Sequence, residues 1–309
     1  MQLRTFTIAS PFDGLELSCA EAVPDNGVTT VGLVQFSHGM EEHKERYYPF
    51  MEWLAHHGFA SVIHDHRGHG ASVKDPSDLG FFYDHSGRAI VGDVLCVQER
   101  FKGMHPGLPL VLFGHSMGSL VVRSLIKDAD DAIDGLVVCG APGNNPGKDA
   151  AMVLVNALSM VKGPRAKSAL VNSLVFGGYG KGLPGDHPLR WLSANEENVR
   201  RYDEDALCGF VFTLNGYQNL LSLVRDVYDV RGWAVKRPDL PILFIAGADD
   251  PVTLGEKAWK DAQGFLRDRG YDNVSGKLYP GMRHEILNED GAQEVFDDVL
   301  AFIQGVCGL

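Results

Sequence analysis

The sequence lacks the features that would carry it onto a polyanion or into a lipid bilayer. It has no run of lysine and arginine, and acidic residues outnumber basic ones 40 to 28 for a formal net charge of −12. Binding to a nucleic-acid backbone needs clustered positive charge, so that class of partner is not expected. The same sign repels anionic membranes and polyanionic substrates on average. Long hydrophobic runs are also missing. The longest apolar-rich stretch, AAMVLVNALSMV from Ala150 to Val161, is interrupted by Asn156 and Ser159 and is too short to span a bilayer. The opening residues MQLRTFTIASPFDG lack the apolar core and cleavage pattern of a secretory signal. Cysteine is scarce. Cys19, Cys96, Cys139, Cys208 and Cys307 are odd in number, scattered and without CxxC spacing. They read as reduced thiols, not as a disulfide framework or a metal site. These absences together give a cytoplasmic protein as the expectation; oligomeric state is not legible.

What is present is enough apolar residue, 45% of 309 positions, to bury a sizeable core in one large domain or a domain with an insertion. Short apolar runs bounded by Gly, Pro, Asn and Asp predict strands at Leu3–Ile8, Leu15–Ala20, Val31–Phe36, Ala60–His64, Leu110–Phe113, Gly135–Cys139, Ile242–Ala246 and Gly276–Tyr279. The later runs are nearly all apolar, as suits parallel strands covered on both faces. Helical spacing is found at Tyr47–His56, Arg88–Phe101, Met117–Lys127, Leu254–Arg267 and Ala292–Ile303. Strand-helix alternation after an initial meander predicts an α/β sheet fold. From about Gly143 to Lys236 the alternation stops, and apolar helical stretches are separated by KGPRAK, FGGYGKGLPGDHP and LCGFVFTLNGYQ. A block this long is expected to be an inserted, mainly helical cap, because long structureless loops are uncommon inside domains. The expected organisation is a core of 1–142 and 237–309 with a cap of 143–236.

In PLVLFGHSMGSLVVRSL, Pro109 to Leu125, a strand-like run meets a Gly-x-Ser-x-Gly turn and then a helical run. That is the nucleophile-elbow pattern, in which a sharp, strained turn holds a serine above the sheet. Gly114 and Gly118 spare the Cβ atoms that would collide with the turn. Ser116 faces the positive end of the following helix. A plain turn with Ser116 as a helix cap is the simpler alternative. Against it stand the strand before, the helix after and the α/β pattern around them.

A serine hydroxyl needs a base, and the base needs an orienting acid. In this architecture they follow in the order Ser, acid, His, from loops after later strands. The strand PILFIAG runs into ADDPV, offering Asp249 and Asp250; of the two, Asp250 is the favoured acid. The last strand ends in LYPGMRHEIL, where His284 is the only histidine after ADDPV. An oxyanion hole needs two backbone N–H groups. Met117, after the nucleophile, supplies one. In VQFSHGMEEH the strand followed by His38-Gly39 nominates Met40 for the other.

The motifs SHGMEEHKERY, VIHDHRGHGAS, GLPLVLFGHSMGS, GADDPV and GMRHE resemble, in order and spacing, the monoacylglycerol lipase and lysophospholipase family of α/β-hydrolases. NSLVFGGY and ALCGFVFT resemble the cap of bacterial lysophospholipase-type members. The resemblance implies an α/β-hydrolase fold, a mostly parallel eight-stranded sheet with helices on both faces and an inserted cap. It also implies Ser116, Asp250 and His284 as triad, with Met40 and Met117 as oxyanion donors. It favours Asp250, since the family's acid stands three residues after the glycine, here Gly247. The implied reaction is ester hydrolysis through an acyl-enzyme, with no metal and no organic cofactor.

Substrate-wall candidates are His38, Met152, Leu154, Val155, Leu158, Met160, Phe210, Phe212 and Leu214, an apolar set suited to an acyl chain. The substrate expected is a small lipid-like ester, either a monoacylglycerol or a lysophospholipid. AAMVLVNALSMV is read three ways: the roof of an acyl tunnel, a helix buried against the sheet, or a face making transient membrane contact. HDHRGHG, His64 to Gly70, concentrates histidines, but its spacing fits no zinc pattern and it is read as a hydrogen-bonded loop. Glu41, Glu42 and His43 stand either at the pocket wall or on a solvated helix start. His115, beside the nucleophile, is assigned to packing. Alternatives with the same triad are a small-ester carboxylesterase and an aminopeptidase. The latter needs carboxylates for a substrate ammonium, and Glu196, Glu197, Asp203, Glu204 and Asp205 are the candidates. A catalytically silent ligand receptor is the non-enzymatic alternative; binding alone does not require a triad.

Overall fold

The computed structural model describes residues 1–309. Its centre is one eight-stranded sheet in the order β1-β2-β4-β3-β5-β6-β7-β8. The strands are β1 Gln2–Ala9, β2 Glu16–Val23, β3 Gly32–Ser37, β4 Phe59–His64, β5 Leu110–His115, β6 Gly135–Cys139, β7 Ile242–Gly247 and β8 Val274–Tyr279. β2 pairs antiparallel with β1 and β4, and every other pairing is parallel. Each of the eight sequence-expected strands is present, with ends that differ by at most three residues.

Five helices cover the sheet: α1 Tyr48–His56, α2 Arg88–Met104, α3 Met117–Ala129, α8 Glu256–Asp268 and α9 Ala292–Cys307. On one face Ile90 and Val94 of α2, Leu120 and Val121 of α3 and Trp259 of α8 pack on Leu112, Leu136 and Phe244. On the other, Phe50 and Leu54 of α1 and Val295 and Val299 of α9 pack on Phe113, Val137 and Ile245. Successive strand residues therefore enter opposite cores. This is why β3 to β6 carry no polar alternation and are buried along their whole length.

Between β6 and β7 the chain forms α4 Lys148–Lys162, α5 Ala169–Phe176, α6 Glu196–Glu204 and α7 Leu214–Val227. The segment has no strand, only an isolated bridge between Lys167 and Thr213. α6 starts where Asn195 accepts from the amides of Glu197 and Asn198, and α7 where Thr213 accepts from Gly216. α7 buries Tyr217, Leu223 and Val227 against the α3 side of the core. The Glu289 carboxylate, from the loop before α9, accepts from the Ser193 hydroxyl at 2.8 Å and the amides of Ala194 and Asn195 at 2.9 and 3.0 Å. No helix is long and apolar enough to cross a membrane.

Candidate active site

The parallel register brings the ends of β3, β5, β6 and β7 to one edge, with Ser37 opposite Gly114 and His115 opposite Cys139. At that edge β5 stops and α3 starts within one residue, Ser116, at φ 52° and ψ −117°. Positive φ in a residue with a side chain is uncommon and is held here by its surroundings. The Ser116 amide donates to the Cys139 carbonyl at 2.9 Å, and the Ser119 amide donates to the Ser116 carbonyl at 2.9 Å. A Cβ on Gly118 would lie 1.9 Å from the Ser37 carbonyl oxygen, so only glycine lets the start of α3 press against the end of β3.

Gly247 plays the same part at the other side of the edge. A Cβ there would lie 2.2 Å from the carbonyl oxygens of both Met282 and Arg283. The close approach seats the β8–α9 loop on the end of β7. His284 Nδ1 then donates to Asp250 Oδ2 at 2.9 Å. The other carboxylate oxygen of Asp250 accepts from the Val252 amide at 2.9 Å. Both side chains are buried, at 0% exposure for Asp250 and 3% for His284. Asp249 is exposed and turned away, its amide donating to Met282. The structure thus brings Asp250, not its neighbour, to the histidine.

Ser116, His284, Met40 and Met117 line one cavity of about 1310 Å³. No hydrogen bond joins the Ser116 hydroxyl to His284 Nε2; bonds of this kind commonly tighten only with substrate in place. The Met117 amide is the first of α3, among the N–H groups of a helix that have no internal acceptor. The Met40 amide makes no hydrogen bond within the protein. Two free donors therefore stand in the cavity wall.

Glu42 organises the floor. Its carboxylate accepts from the Gly39 amide at 2.5 Å, Tyr47 hydroxyl at 3.0 Å and His115 Nδ1 at 3.1 Å. Burial alone would raise its pKa, but the charged bond from His115 reverses this and holds it well below the usual range. Burial likewise opposes the charge on His115, and Glu42 overcomes it. His115 Nε2 donates to the His284 carbonyl at 3.2 Å, and its ring lies 4.7 Å from that of His284. The packing expected of His115 is therefore accompanied by a polar link between the turn that carries the Met40 amide and the histidine loop.

Of the nine wall candidates only Leu154 and Val155 line the cavity; Leu158 packs against the core instead. His38 is fully buried beneath it, with Nδ1 donating to the Gly39 carbonyl and Nε2 accepting from the His66 amide. Phe210 and Phe212 turn toward His69 and Phe82, while Val211 between them lines the cavity. Residues 210–212 lie outside any helix or strand, and adjacent side chains there turn to different sides. On α4, Met152 is inside the helix interface, whereas Lys148, Ala151, Leu154 and Val155 face the cavity. Met160 is 88% exposed, and Leu214 belongs to the core. NSLVFGGY contains Phe176 and Tyr179, but nothing in the sequence signals that they and Trp191 line the cavity together, the last with its ring 5.5 Å from that of His284.

His64, His66 and His69 are buried, their pKa values pushed down by burial. The hydrogen-bonded loop expected of them is found only in part: His66 Nε2 bonds the Ser37 hydroxyl at 2.9 Å and His69 Nδ1 the Arg67 carbonyl at 3.2 Å, whereas His64 ends β4 with neither ring nitrogen paired. Metal-type atoms converge elsewhere, at His43, Asp205 and Cys208. There both imidazole nitrogens already bond carboxylates, Nδ1 to Glu45 and Nε2 to Asp205 at 2.9 Å. Burial lowers the His43 pKa, but Cys208, Glu45 and Asp205 together push it up to about 11. The group is an ion-paired imidazolium tying the loop after β3 to the segment after α6.

A family model described as serine aminopeptidase, S33 (Hydrolase_4) matches residues 29–291. The chain is 30% identical over 283 residues to the monoglyceride lipase of Homo sapiens, covering 90% of this chain and 82% of that one. It is 27% identical over 279 residues to the monoacylglycerol lipase of Mycolicibacterium smegmatis, covering 88% of each. Its fold is similar to a thermostable carboxyl esterase from Bacillus coagulans, solved in complex with glycerol, with a TM-score of 0.89 at 23% identity and 99% coverage of both chains.

Proposed function

The chain belongs to the Hydrolase_4 (serine aminopeptidase, S33) family of α/β-hydrolases, and we propose that it hydrolyses carboxylic esters of lipid-like substrates through an acyl-enzyme. The observation that carries this reading is the buried Asp250–His284 pair on the same cavity as a strained Ser116 and two unpartnered amides. His284 takes the Ser116 proton as the hydroxyl attacks the ester carbonyl. Asp250 fixes the imidazole tautomer and stabilises its charged form. The amides of Met40 and Met117 receive the oxyanion, each worth about 3 kcal/mol. His284 then protonates the leaving alcohol and activates water for deacylation.

Residues 143–236 act as a cap over a core of 1–142 and 237–309. What supports this is that α4, α5 and α7 supply Leu154, Val155, Val171, Leu221 and Val224 to the cavity wall. Each methylene buried there contributes about 0.8 kcal/mol, which suits an acyl chain. Because the two curated relatives are named for monoacylglycerol, a monoacylglycerol is the first substrate to test. Val153, Met160, Val161 and Leu170 of α4 and α5 are exposed away from the cavity and support transient contact with a lipid surface.

The aminopeptidase alternative needs carboxylates converging on an ammonium. Of the five candidates only Asp203 lines the cavity. Glu197 and Glu204 are bound by Arg200 on the outer surface, and Asp205 by His43. The test is to compare wild type and Ser116→Ala on monoglycerides, lysophospholipids, p-nitrophenyl esters and aminoacyl naphthylamides. Wild type cleaves the esters, and the variant loses about six orders of magnitude in turnover. Cleavage of the amides without the esters, or ester cleavage that survives the substitution, contradicts the reading.

A further inference from the structure

Directly after the Met40 amide the backbone does something costly. Glu41 sits at φ 59°, in the left-handed region that favours glycine. Its conformation is pinned from across the cavity: the Glu41 carbonyl accepts from the Gly209 amide at 3.0 Å and the Tyr202 hydroxyl at 2.8 Å. Glu41 is 8% exposed and lines the cavity, and its Oε1 is buried without a hydrogen-bond partner. Burial raises its pKa to about 8, and Lys167 and the Phe212 amide offset this only in part. Burial thus favours the protonated form, a carboxylic acid able both to donate and to accept.

The surroundings say which part of a substrate it meets. The carboxyl lies near Phe212, near Lys167, which bridges to Thr213, and near Tyr217 in the first turn of α7. That helix supplies Leu220, Leu221 and Val224 to the apolar wall. A bare hydrocarbon chain crossing this wall leaves the acid unpaired. A chain with an oxygen at that point pairs it, and a buried polar group discriminates strongly against the ligand that leaves it without a partner.

Resting on the ester-hydrolase reading above, we propose that Glu41 is a specificity residue for acyl chains that carry a hydroxyl or keto group a few carbons from the ester carbonyl. The position beside the Met40 oxyanion donor places the recognition close to the scissile bond. It acts as an uncharged hydrogen-bonding group, which distinguishes it from a carboxylate that holds an ammonium.

Two measurements test this. In the first, kcat/KM is determined for methyl 3-hydroxyoctanoate and methyl octanoate with wild type, Glu41→Gly and Glu41→Gln. Glycine suits the positive φ, so that variant folds, and an amide both donates and accepts. Wild type prefers the hydroxy ester about tenfold, the net worth of one hydrogen bond. Glu41→Gly abolishes the preference and raises kcat/KM on the plain ester; Glu41→Gln restores the preference. An equal ratio in wild type and Glu41→Gly overturns the proposal. In the second, calorimetry compares octane-1,3-diol with octan-1-ol, which need no turnover. Wild type binds the diol about tenfold more tightly and Glu41→Gly does not. That outcome stands even if no ester is hydrolysed, so failure of the ester reading and failure of this proposal are separable. Equal binding of the two alcohols, or tighter binding of 3-aminooctan-1-ol than of the diol, overturns it.

Discussion

Asp250 divides its carboxylate between two partners, one oxygen accepting from His284 Nδ1 and the other from the Val252 amide, both at 2.9 Å. The second bond fixes the acid so that the first can fix the base. Asp250→Asn keeps the shape but presents a group that stabilises the wrong imidazole tautomer. Turnover of an aryl ester is expected to fall about four orders of magnitude. Asp249→Asn, on the exposed neighbour, is expected to stay within a factor of a few. Steady-state kinetics on the two variants decides between them; the reverse pattern would move the acid to Asp249.

Gly247→Ala tests the packing that places this pair. The new Cβ meets two carbonyl oxygens of the histidine loop at 2.2 Å. Backbone cannot retreat as a flexible side chain can, so the cost is expected at about 3 kcal/mol. A urea denaturation midpoint unchanged from wild type would show that the loop yields freely.

Acid stability follows from the buried histidines. Burial holds His38 and His64 down to about 4 and His69 to about 3. Their folded pKa values lie below the unfolded value near 6.5, so the unfolded chain takes up protons first as pH falls. Stability is complete above 6.5 and is lost from there toward 4, by about 1.4 kcal/mol per histidine per pH unit. His43, raised to about 11, has the opposite sign. Its contribution is present below 6.5 and is lost as pH rises through 11, so it does not offset the acid loss. Denaturation midpoints measured between pH 6.5 and 5 are expected to fall steadily. A flat profile would mean that these rings are protonated in the fold.

Acyl-chain length tests the cavity. Hydrolysis of p-nitrophenyl esters is expected to rise from acetate to a medium or long chain and then fall, as methylenes fill the wall of α4, α5 and α7. A steady decline from acetate onward would assign a small-ester carboxylesterase.

Much of this was legible in the sequence where the signal is local. The apolar runs of β3 to β6 and the GHSMG turn carry their own periodicity and their own glycines. The order of Ser116, Asp250 and His284 follows from chain topology. The wall was less legible, because a one-residue change in phase decides which side chain faces in. Val211 faces in and Phe210 and Phe212 do not, and on α4 Leu154 does where Met152 does not. Contacts such as Arg46 with Glu285 at 2.7 Å and His43 with Asp205 at 2.9 Å join distant segments and leave no local trace.

All of the chemistry rests on an activated hydroxyl at the end of β5. Wild type and Ser116→Ala are treated with a fluorophosphonate and digested, and the peptide spanning Pro109 to Leu125 is weighed by mass spectrometry. The account predicts one phosphonyl adduct, on Ser116 of the wild type, and none on the variant. A folded wild type that stays unmodified there, or an adduct that persists in the variant, would contradict it.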